Sequence, residues 1–305
     1  MTMRTHTKLY FLVYVTSSIL HYSCPAQAKN FPVNTKECGL SDPVGRVING
    51  KYITKSQVPW VIFLSRVYHG YLRYCTGTII TNNVIATAAH CVESRGETIL
   101  KMHVYYNTSI PKGGTCVTVE RGIIHEKYVR PEHGYDIALI QLVKPIPGFS
   151  RFVRPVCLPR ESSKTPARSL LVVGFGAIDF NHTDSKHLQY YVTKPLSDEN
   201  CDVALKHRRI HATSDRVICG TSSHQRAWKG DSGGPLTAVS KSGKSTLYGM
   251  VSFGSRRRKA HAPTVHTRIS AFVPWIRKSL RNIQSWKPVV AQLAANAKED
   301  HSCTW

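Results

Sequence analysis

The sequence predicts an all-β fold, either a sandwich or a barrel, and two observations support this. From Val47 onward, short apolar runs rich in Val, Ile, Tyr and Thr are separated by clusters of Gly, Pro, Asn and Ser, a pattern typical of strands joined by turns. Helical periodicity is clear only at Phe272–Ile283, where apolar and basic residues interleave. The predicted strands are Val58–Leu64, Cys75–Ile80, Met102–Tyr106, Ile137–Val143, Leu170–Val173, Leu188–Thr193 and Leu247–Phe253.

Residues 1–28 have the three parts of a secretory signal peptide. Arg4 and Lys8 precede the apolar run Leu9–Val15, and Ala26-Gln27-Ala28 offers a small-residue cleavage site. A membrane anchor is the alternative, but a span needs roughly 20 apolar residues and Thr16 interrupts this run. We therefore expect a secreted, extracellular protein without a membrane span.

After the signal segment the chain divides into three parts. Residues 29–46 form a short polar leader, punctuated by Pro and Gly, that is too small to fold alone. The strand pattern and the helix extend over residues 47–285, which we predict to be the folded domain. Residues 286–305 show few turn signals and no clear strand, and we expect them to be a C-terminal extension.

The charge of the chain is strongly positive. There are 41 Lys and Arg residues against 18 Asp and Glu, a formal net charge of +23. This charge either serves solubility or attracts a polyanion such as a sulfated polysaccharide or an anionic surface, with the run Arg256–Lys259 as one contact. No aromatic–basic pattern of nucleic-acid binding accompanies it, so nucleic acid is not an expected partner.

The cysteines predict a disulfide framework. Nine are present, and Cys24 lies in the signal segment, which leaves an even number for an oxidising compartment. Counting alone does not choose among the many pairings of the remaining eight. Two glycosylation sequons, at Asn107 and Asn181, also fit a secreted protein.

Three short motifs carry the chemistry of the sequence. They are Thr87-Ala88-Ala89-His90-Cys91, Asp136-Ile137-Ala138-Leu139 and Gly230-Asp231-Ser232-Gly233-Gly234-Pro235. Each motif alone fits a loop histidine, a strand cap or a flexible turn. Together they supply a nucleophile, a base and an orienting carboxylate, because a serine hydroxyl attacks only when an adjacent base removes its proton. A histidine is suited to that role at neutral pH.

In these motifs and in their order, the chain from Cys38 to Ile283 resembles the trypsin/chymotrypsin family of serine proteases. The resemblance implies two packed six-stranded antiparallel β-barrels with a C-terminal helix, and a serine endopeptidase that acts on proteins or peptides without metal or cofactor. It implies His90, Asp136 and Ser232 as the catalytic triad, with the N–H groups of Gly230 and Ser232 as the oxyanion hole.

The resemblance also implies that the chain is made as an inactive precursor. Arg46 precedes Val47-Ile48-Asn49-Gly50, and in this family a cut after such a basic residue frees an apolar N-terminus. The new α-ammonium of Val47 would pair with Asp231, and uncut chains would leave the oxyanion hole disordered. A separate trypsin-like protease is then an expected partner. The alternative for this segment is an ordinary basic loop.

Three disulfides follow from the same resemblance: Cys75–Cys91, Cys201–Cys219, and Cys38–Cys157, which would keep the cut leader attached. Cys116 and Cys303 remain. They either pair with each other and hold the C-terminal tail, or one of them bridges to another molecule.

The substrate pocket departs from the family pattern. Ser252 and Gly254 match the segment that binds the substrate backbone, but the pocket base holds Arg226 where trypsin-like enzymes have aspartate. Thr264 occupies a wall position that usually holds glycine. The disulfide that flanks the pocket is missing, because Trp228 and the run Arg256–Lys259 stand where its halves would be.

Three interpretations of this pocket stay open. Arg226 could select acidic side chains, since its planar guanidinium suits a carboxylate. It could instead turn outward and leave a shallow pocket narrowed by Thr264. In the third, the chain is a catalytically weak homologue that binds a polyanion or a protein partner. The intact triad favours an enzyme.

Overall fold

The computed structural model describes residues 32–44, 52–94, 96–178, 183–222, 227–254, 262–289 and 303. The sequence predictions at residues 1–28, Arg46, Val47, Asn181, Arg226 and Arg256–Lys259 lie outside these described residues. Among the helices that are described, none is long and apolar enough to cross a membrane.

Six strands form the first barrel: β1 (Val61–Tyr68), β2 (Tyr71–Ile79), β3 (Val84–Thr87), β4 (Lys101–Tyr106), β5 (Thr115–Ile124) and β6 (Ala138–Leu142). Their order is β5-β4-β1-β2-β3-β6, and pairing of β5 with β6 closes the ring. Strands β1, β3 and β6 are buried along nearly their whole length, and the sequence shows apolar runs at Val61–Leu64 of β1 and Ala138–Ile140 of β6. Strand β5 is mostly half-buried, so its run of mixed residues gave no strand signal.

Six more strands form the second barrel: β7 (Leu170–Gly174), β8 (Gln189–Pro195), β9 (Val217–Thr221), β10 (Pro235–Val239), β11 (Ser245–Phe253) and β12 (Thr264–Arg268). They pair in the closed antiparallel order β10-β11-β12-β9-β8-β7. The two six-stranded barrels implied by the family resemblance are thereby confirmed.

Two α-helices accompany the barrels. Helix α1 (Asp198–His207) was not predicted, because only Cys201 and Leu205 are buried and its apolar stripe is weak. Its start is nevertheless capped by Ser197, whose hydroxyl accepts the N–H of Asn200. Helix α2 (Ile269–Arg281) matches the predicted C-terminal helix and buries a broad apolar face.

The sequence shows no clear strand in the C-terminal extension, residues 286–305, but the structure has a short one there. The two residues of β13 (Lys287–Pro288) pair with Arg121 and Gly122 of β5 and extend the first sheet. Backbone pairing at a sheet edge needs no apolar pattern, so a two-residue strand left no periodic signal.

The two barrels meet along a shared interior. Phe63 of β1 and Phe175, which follows β7, pack edge to face with ring centroids 5.5 Å apart. Thr267 of β12 donates its hydroxyl to the backbone oxygen of Asp136 at 2.8 Å. The N–H of Thr76 in β2 donates to the backbone oxygen of Ser232 at 2.9 Å. These contacts bring residues of both barrels together at one junction.

Four disulfides join Cys38 to Cys157, Cys75 to Cys91, Cys116 to Cys303 and Cys201 to Cys219. The first ties the leader to the second half of the chain, where Gly39 lies with φ +69° between Pro155 and Ser245. A Cβ at Gly39 would lie 2.4 Å from the Ser245 oxygen, so only glycine fits. Of the two alternatives for Cys116 and Cys303, the structure has the intrachain bridge.

Candidate active site

His90 and Asp136 are positioned by the ends of two neighbouring strands. His90 lies in a single 3₁₀ turn, Ala89–Cys91, just after β3, and Asp136 lies just before β6, which pairs with β3. The Nδ1 atom of His90 is 2.8 Å from Oδ2 of Asp136, and the His90 backbone N–H donates to Oδ1 at 3.0 Å. The imidazole is 18% exposed and the carboxylate is fully buried. One ring nitrogen of His90 is therefore fixed by a buried acid.

The environment of Asp136 stabilises its ionised form. Burial by itself would raise its pKa, but the charge of His90 and hydrogen bonds from His90 and Ser252 outweigh burial and hold the pKa below its ordinary value. The Ser252 hydroxyl donates to Oδ2 at 2.5 Å. Ser252 was predicted only as a substrate-binding residue, and its contact with Asp136 is an addition from the structure.

The turn that carries Ser232 lies between β9 and β10 and is held from both barrels. The Thr76 hydroxyl donates to the Gly230 oxygen at 2.9 Å, and the Gly233 N–H donates to the Val251 oxygen at 2.8 Å. The Ser232 backbone oxygen lies 3.7 Å from Sγ of Cys91, the residue after His90. The structure thus brings the three motifs to one junction.

Two glycines of this turn have no room for a side chain. Gly230 has φ +103° and Gly233 has φ +78°, both in the region that favours glycine. A Cβ on Gly230 would lie 2.4 Å from the Tyr74 ring, and one on Gly233 would lie 2.2 Å from the Thr87 hydroxyl. The glycines let the backbone of this turn approach strands β2 and β3 of the first barrel closely.

Asp231 is a buried carboxylate beside this turn. Its oxygens accept the backbone N–H groups of Gly176 and Trp228, each at 2.8 Å. Burial raises its pKa to about 6, and the two N–H bonds offset only part of that rise. Within the described part of the chain, no side-chain cation forms an ion pair with Asp231.

The described residues predicted for the pocket, Ser252, Gly254 and Thr264, lie at the end of β11 and the start of β12, which pair at Phe253 and Val265. A Cβ added to Gly254 would lie 3.5 Å from the Ala227 oxygen. Thr264 begins β12 and is 4% exposed.

Arg208 connects two backbone carbonyls next to the residues predicted for the pocket, and the sequence analysis missed it. Its guanidinium donates to the Pro263 oxygen at 3.1 Å and to the Gly254 oxygen at 3.5 Å. It also lies over the Phe253 ring, 6.0 Å from the centroid. Burial lowers its pKa. No sequence motif connects Arg208 with these residues, because nearly fifty positions separate them.

One predicted glycosylation residue and one cluster of possible metal ligands remain to be described. Asn107 is partly buried at φ +57°, and its backbone oxygen accepts Lys55 Nζ at 3.3 Å. The grouping of Cys75, His90 and Cys91 is compact enough for a metal ion, but the two cysteines form a disulfide and offer no thiolate.

Comparisons with known proteins agree with this geometry. The Trypsin family profile matches residues 47–276. Serine proteinase stubble of Drosophila melanogaster is 31% identical over 87% of this chain, which spans 35% of that protein. The clotting factor G beta subunit of Tachypleus tridentatus is 28% identical over 88% of this chain and 92% of its own length.

Two more comparisons extend this result. Phenoloxidase-activating factor 3 of Holotrichia diomphalia is 30% identical over 80% of this chain and 75% of its own length. A solved structure entitled "Structure of GrC" superposes with a TM-score of 0.65 at 26% identity, over 77% of this chain and 100% of that one. With its fold, its buried His–Asp pair and the profile match, the chain belongs to the trypsin family of serine proteases.

Proposed function

We propose that this protein is a secreted serine endopeptidase that uses His90, Asp136 and Ser232 as its catalytic triad. The observation that carries the proposal is the 2.8 Å contact between His90 Nδ1 and the fully buried Asp136 carboxylate. A buried carboxylate in that position holds the imidazole in the tautomer whose Nε2 accepts a proton. The 3.7 Å distance between the Ser232 backbone oxygen and Cys91 Sγ supports the proposal, because Cys91 directly follows His90.

The proposed reaction is acyl transfer to serine followed by hydrolysis. Ser232 Oγ attacks the scissile carbonyl carbon as its proton passes to His90 Nε2, and the carbonyl oxygen becomes an oxyanion. The N–H groups of Gly230 and Ser232 donate to that oxyanion, and His90 then protonates the leaving amine. A water molecule repeats the attack on the acyl-enzyme and releases Ser232.

Activation by cleavage after Arg46 is part of the proposal. Asp231 is buried with a raised pKa, so its ionised form is costly without a cationic partner. The α-ammonium of Val47 would be that cation, and the Cys38–Cys157 bridge would keep the leader attached after the cut. Relatives named as a clotting factor subunit and as a phenoloxidase-activating factor support a place in a proteolytic cascade, with a trypsin-like protease upstream.

A fluorophosphonate probe tests this proposal, because it reacts only with an activated serine. We expect one label per chain on Ser232 after cleavage at Arg46, little label before cleavage, and none in Ser232→Ala. Ser242→Ala, at an exposed serine, is the matched control and should label like wild type. Absence of label on the cut wild-type protein would overturn the proposed function.

Polyanion binding is a second candidate function, favoured by the outer face of α2. Arg277, Lys278 and Arg281 are exposed there, at spacings that place them on one side of the helix. We call this the basic helix face. A sulfated polysaccharide presents charges at intervals that such a face can contact. The run Arg256–Lys259 remains a further proposed contact.

A heparin column tests the second candidate. Replacing the three residues of the basic helix face with serine should shift elution to clearly lower salt. Exposed charges act only within about 8 Å at physiological ionic strength, so charges at the contact contribute most to retention. The matched control replaces three exposed lysines outside α2, which are Lys194, Lys206 and Lys241. Equal shifts in both variants would mean that net charge alone governs retention and would overturn a specific surface.

A further inference from the structure

A buried hydroxyl lies between the serine turn and the segment that follows β7. Thr76 in β2 is 0% exposed, and its hydroxyl donates to the Gly230 oxygen at 2.9 Å. The same hydroxyl accepts the backbone N–H of Phe175 at 3.2 Å. The Thr76 backbone N–H also donates to the Ser232 oxygen at 2.9 Å. One residue of the first barrel therefore bonds the carbonyls on both sides of Asp231.

The three consecutive N–H groups of Phe175–Ala177 connect the segment after β7 with the serine turn. The second of them donates to Asp231 Oδ1 at 2.8 Å, and the third donates to the Lys229 oxygen at 2.9 Å. The first reaches the turn through the Thr76 hydroxyl, which in turn bonds Gly230. Loss of this hydroxyl would take a bond from one buried N–H and from one buried carbonyl, which is unfavourable for both groups.

The peptide unit held by Thr76 lies between the two proposed oxyanion donors. A peptide unit is planar and trans, so its C=O and N–H point in opposite directions. The unit that joins Gly230 to Asp231 is held at both ends. Its carbonyl accepts the Thr76 hydroxyl, and its N–H donates to the Trp228 oxygen at 3.0 Å. The proposed donors, the N–H groups of Gly230 and Ser232, belong to the units on either side, so their mutual orientation depends on this middle unit.

We propose that Thr76 is a positioning residue for the oxyanion hole, and that its hydroxyl holds the middle peptide unit so that both donors face the same point. This inference rests on the proposed function and concerns the same site. Glycine adopts many backbone angles, so Gly230 itself does not keep this unit in place. Donors that are fixed before the reaction stabilise the developing charge without reorganisation. Loss of the hydroxyl should therefore slow the chemical step more than it weakens substrate binding.

Thr76→Val tests this inference, because valine has the shape of threonine without the hydroxyl. With the cut protein and one peptide substrate we expect kcat to fall by about tenfold or more, since outright loss of one oxyanion donor costs about 10²–10³-fold. KM should change by less than about threefold. Thr76→Ser keeps the hydroxyl and should keep kcat within about threefold of wild type. If Thr76→Val does not fold, Thr76→Ala, which adds no bulk, carries the same expectation.

Thr78→Val is the matched control. Thr78 lies two positions further along β2 on the same face and is equally buried, but its hydroxyl has no hydrogen-bond partner among the described residues. The control should keep the kcat of wild type. Urea unfolding of every variant identifies those that are folded.

The wild type separates the two possible failures. If the cut wild-type protein neither hydrolyses the peptide nor reacts with the fluorophosphonate probe, the proposed function itself is overturned. With an active wild type, an unchanged kcat in a folded Thr76→Val or Thr76→Ala protein would overturn this inference alone. So would a loss that lies in KM, an equal loss of kcat in Thr78→Val, or a Thr76→Ser protein as slow as Thr76→Val.

Discussion

The buried Asp231 makes the stability of the uncut protein depend on pH in a defined direction. Its pKa rises from 3.8 to about 6 on folding, which corresponds to about 3 kcal/mol. A carboxyl whose pKa is raised in the folded state stabilises the protein in its protonated form. That stability is fully present below about pH 4 and is lost as the pH rises through about 6. At pH 7.5 the ionised Asp231 should therefore be a net cost to the uncut chain.

Asp231→Asn removes this charge with almost no change in shape. Asparagine has one carbonyl oxygen for the two N–H donors, so one hydrogen bond worth about 1 kcal/mol is lost at every pH. We compare the uncut Asp231 and Asp231→Asn proteins, both carrying Ser232→Ala. Relative to the Asp231 protein, the free energy of unfolding of Asp231→Asn should rise by about 2 kcal/mol between pH 4.0 and pH 7.5.

Urea unfolding with the disulfides intact measures this difference as the change in midpoint and slope. After cleavage at Arg46 the Asp231 protein should become the more stable of the two at pH 7.5, because the new α-ammonium of Val47 then pairs with Asp231 and favours its ionised form. The reasoning would be refuted if the difference in free energy of unfolding between the two uncut proteins did not change with pH. It would also be refuted if that difference were the same before and after the cut.

Three other outcomes follow from the contacts of the site. Ser252→Ala should lower kcat/KM by about tenfold, because it removes a hydrogen bond to the ionised Asp136. Arg208→Met should raise KM severalfold with a smaller effect on kcat, since the guanidinium holds the Gly254 carbonyl at the pocket wall. The pure uncut protein should not cleave itself after Arg46, because Arg226, at the predicted base of the pocket, would repel an arginine side chain.

Each of these outcomes has its own control. Ser242→Ala is the exposed counterpart of the Ser252 change, and Arg209→Met is the exposed neighbour of the Arg208 change; both should leave the kinetics unaltered. Arg208→Lys should restore part of the substrate affinity, and an unchanged KM in Arg208→Met would contradict its role at the wall. For self-cleavage, N-terminal sequencing after incubation at high concentration would contradict the account if Val-Ile-Asn-Gly appeared in wild type but not in Ser232→Ala.

Much of the fold could be predicted because buried strands leave short apolar runs. Strands β1 and β6 contain the runs Val61–Leu64 and Ala138–Ile140, and the family resemblance supplied their arrangement in barrels. Strand β5 and helix α1 were missed because each buries only part of one face, so neither periodicity stands out. Short strands such as β9 and β12, rich in threonine, cysteine and histidine, also gave no signal.

The candidate site divides in the same way. Three local motifs were enough to select His90, Asp136 and Ser232, because the chemistry constrains residue types within a few positions of each. Arg208 was not selected, because its contacts are with residues far away in the chain. Such contacts arise only when the barrel closes, and no spacing rule in one sequence encodes them.

Peptide hydrolysis by the cut protein, compared with its Ser232→Ala form, tests the central claim most directly. The account predicts hydrolysis by wild type and a loss of at least about a thousandfold in Ser232→Ala, since removal of a triad member typically costs about 10⁴-fold or more. Both proteins should unfold at the same urea concentration, which shows that only the nucleophile was removed. Residual activity above about a thousandth of wild type, in a correctly folded variant, would contradict Ser232 as the nucleophile.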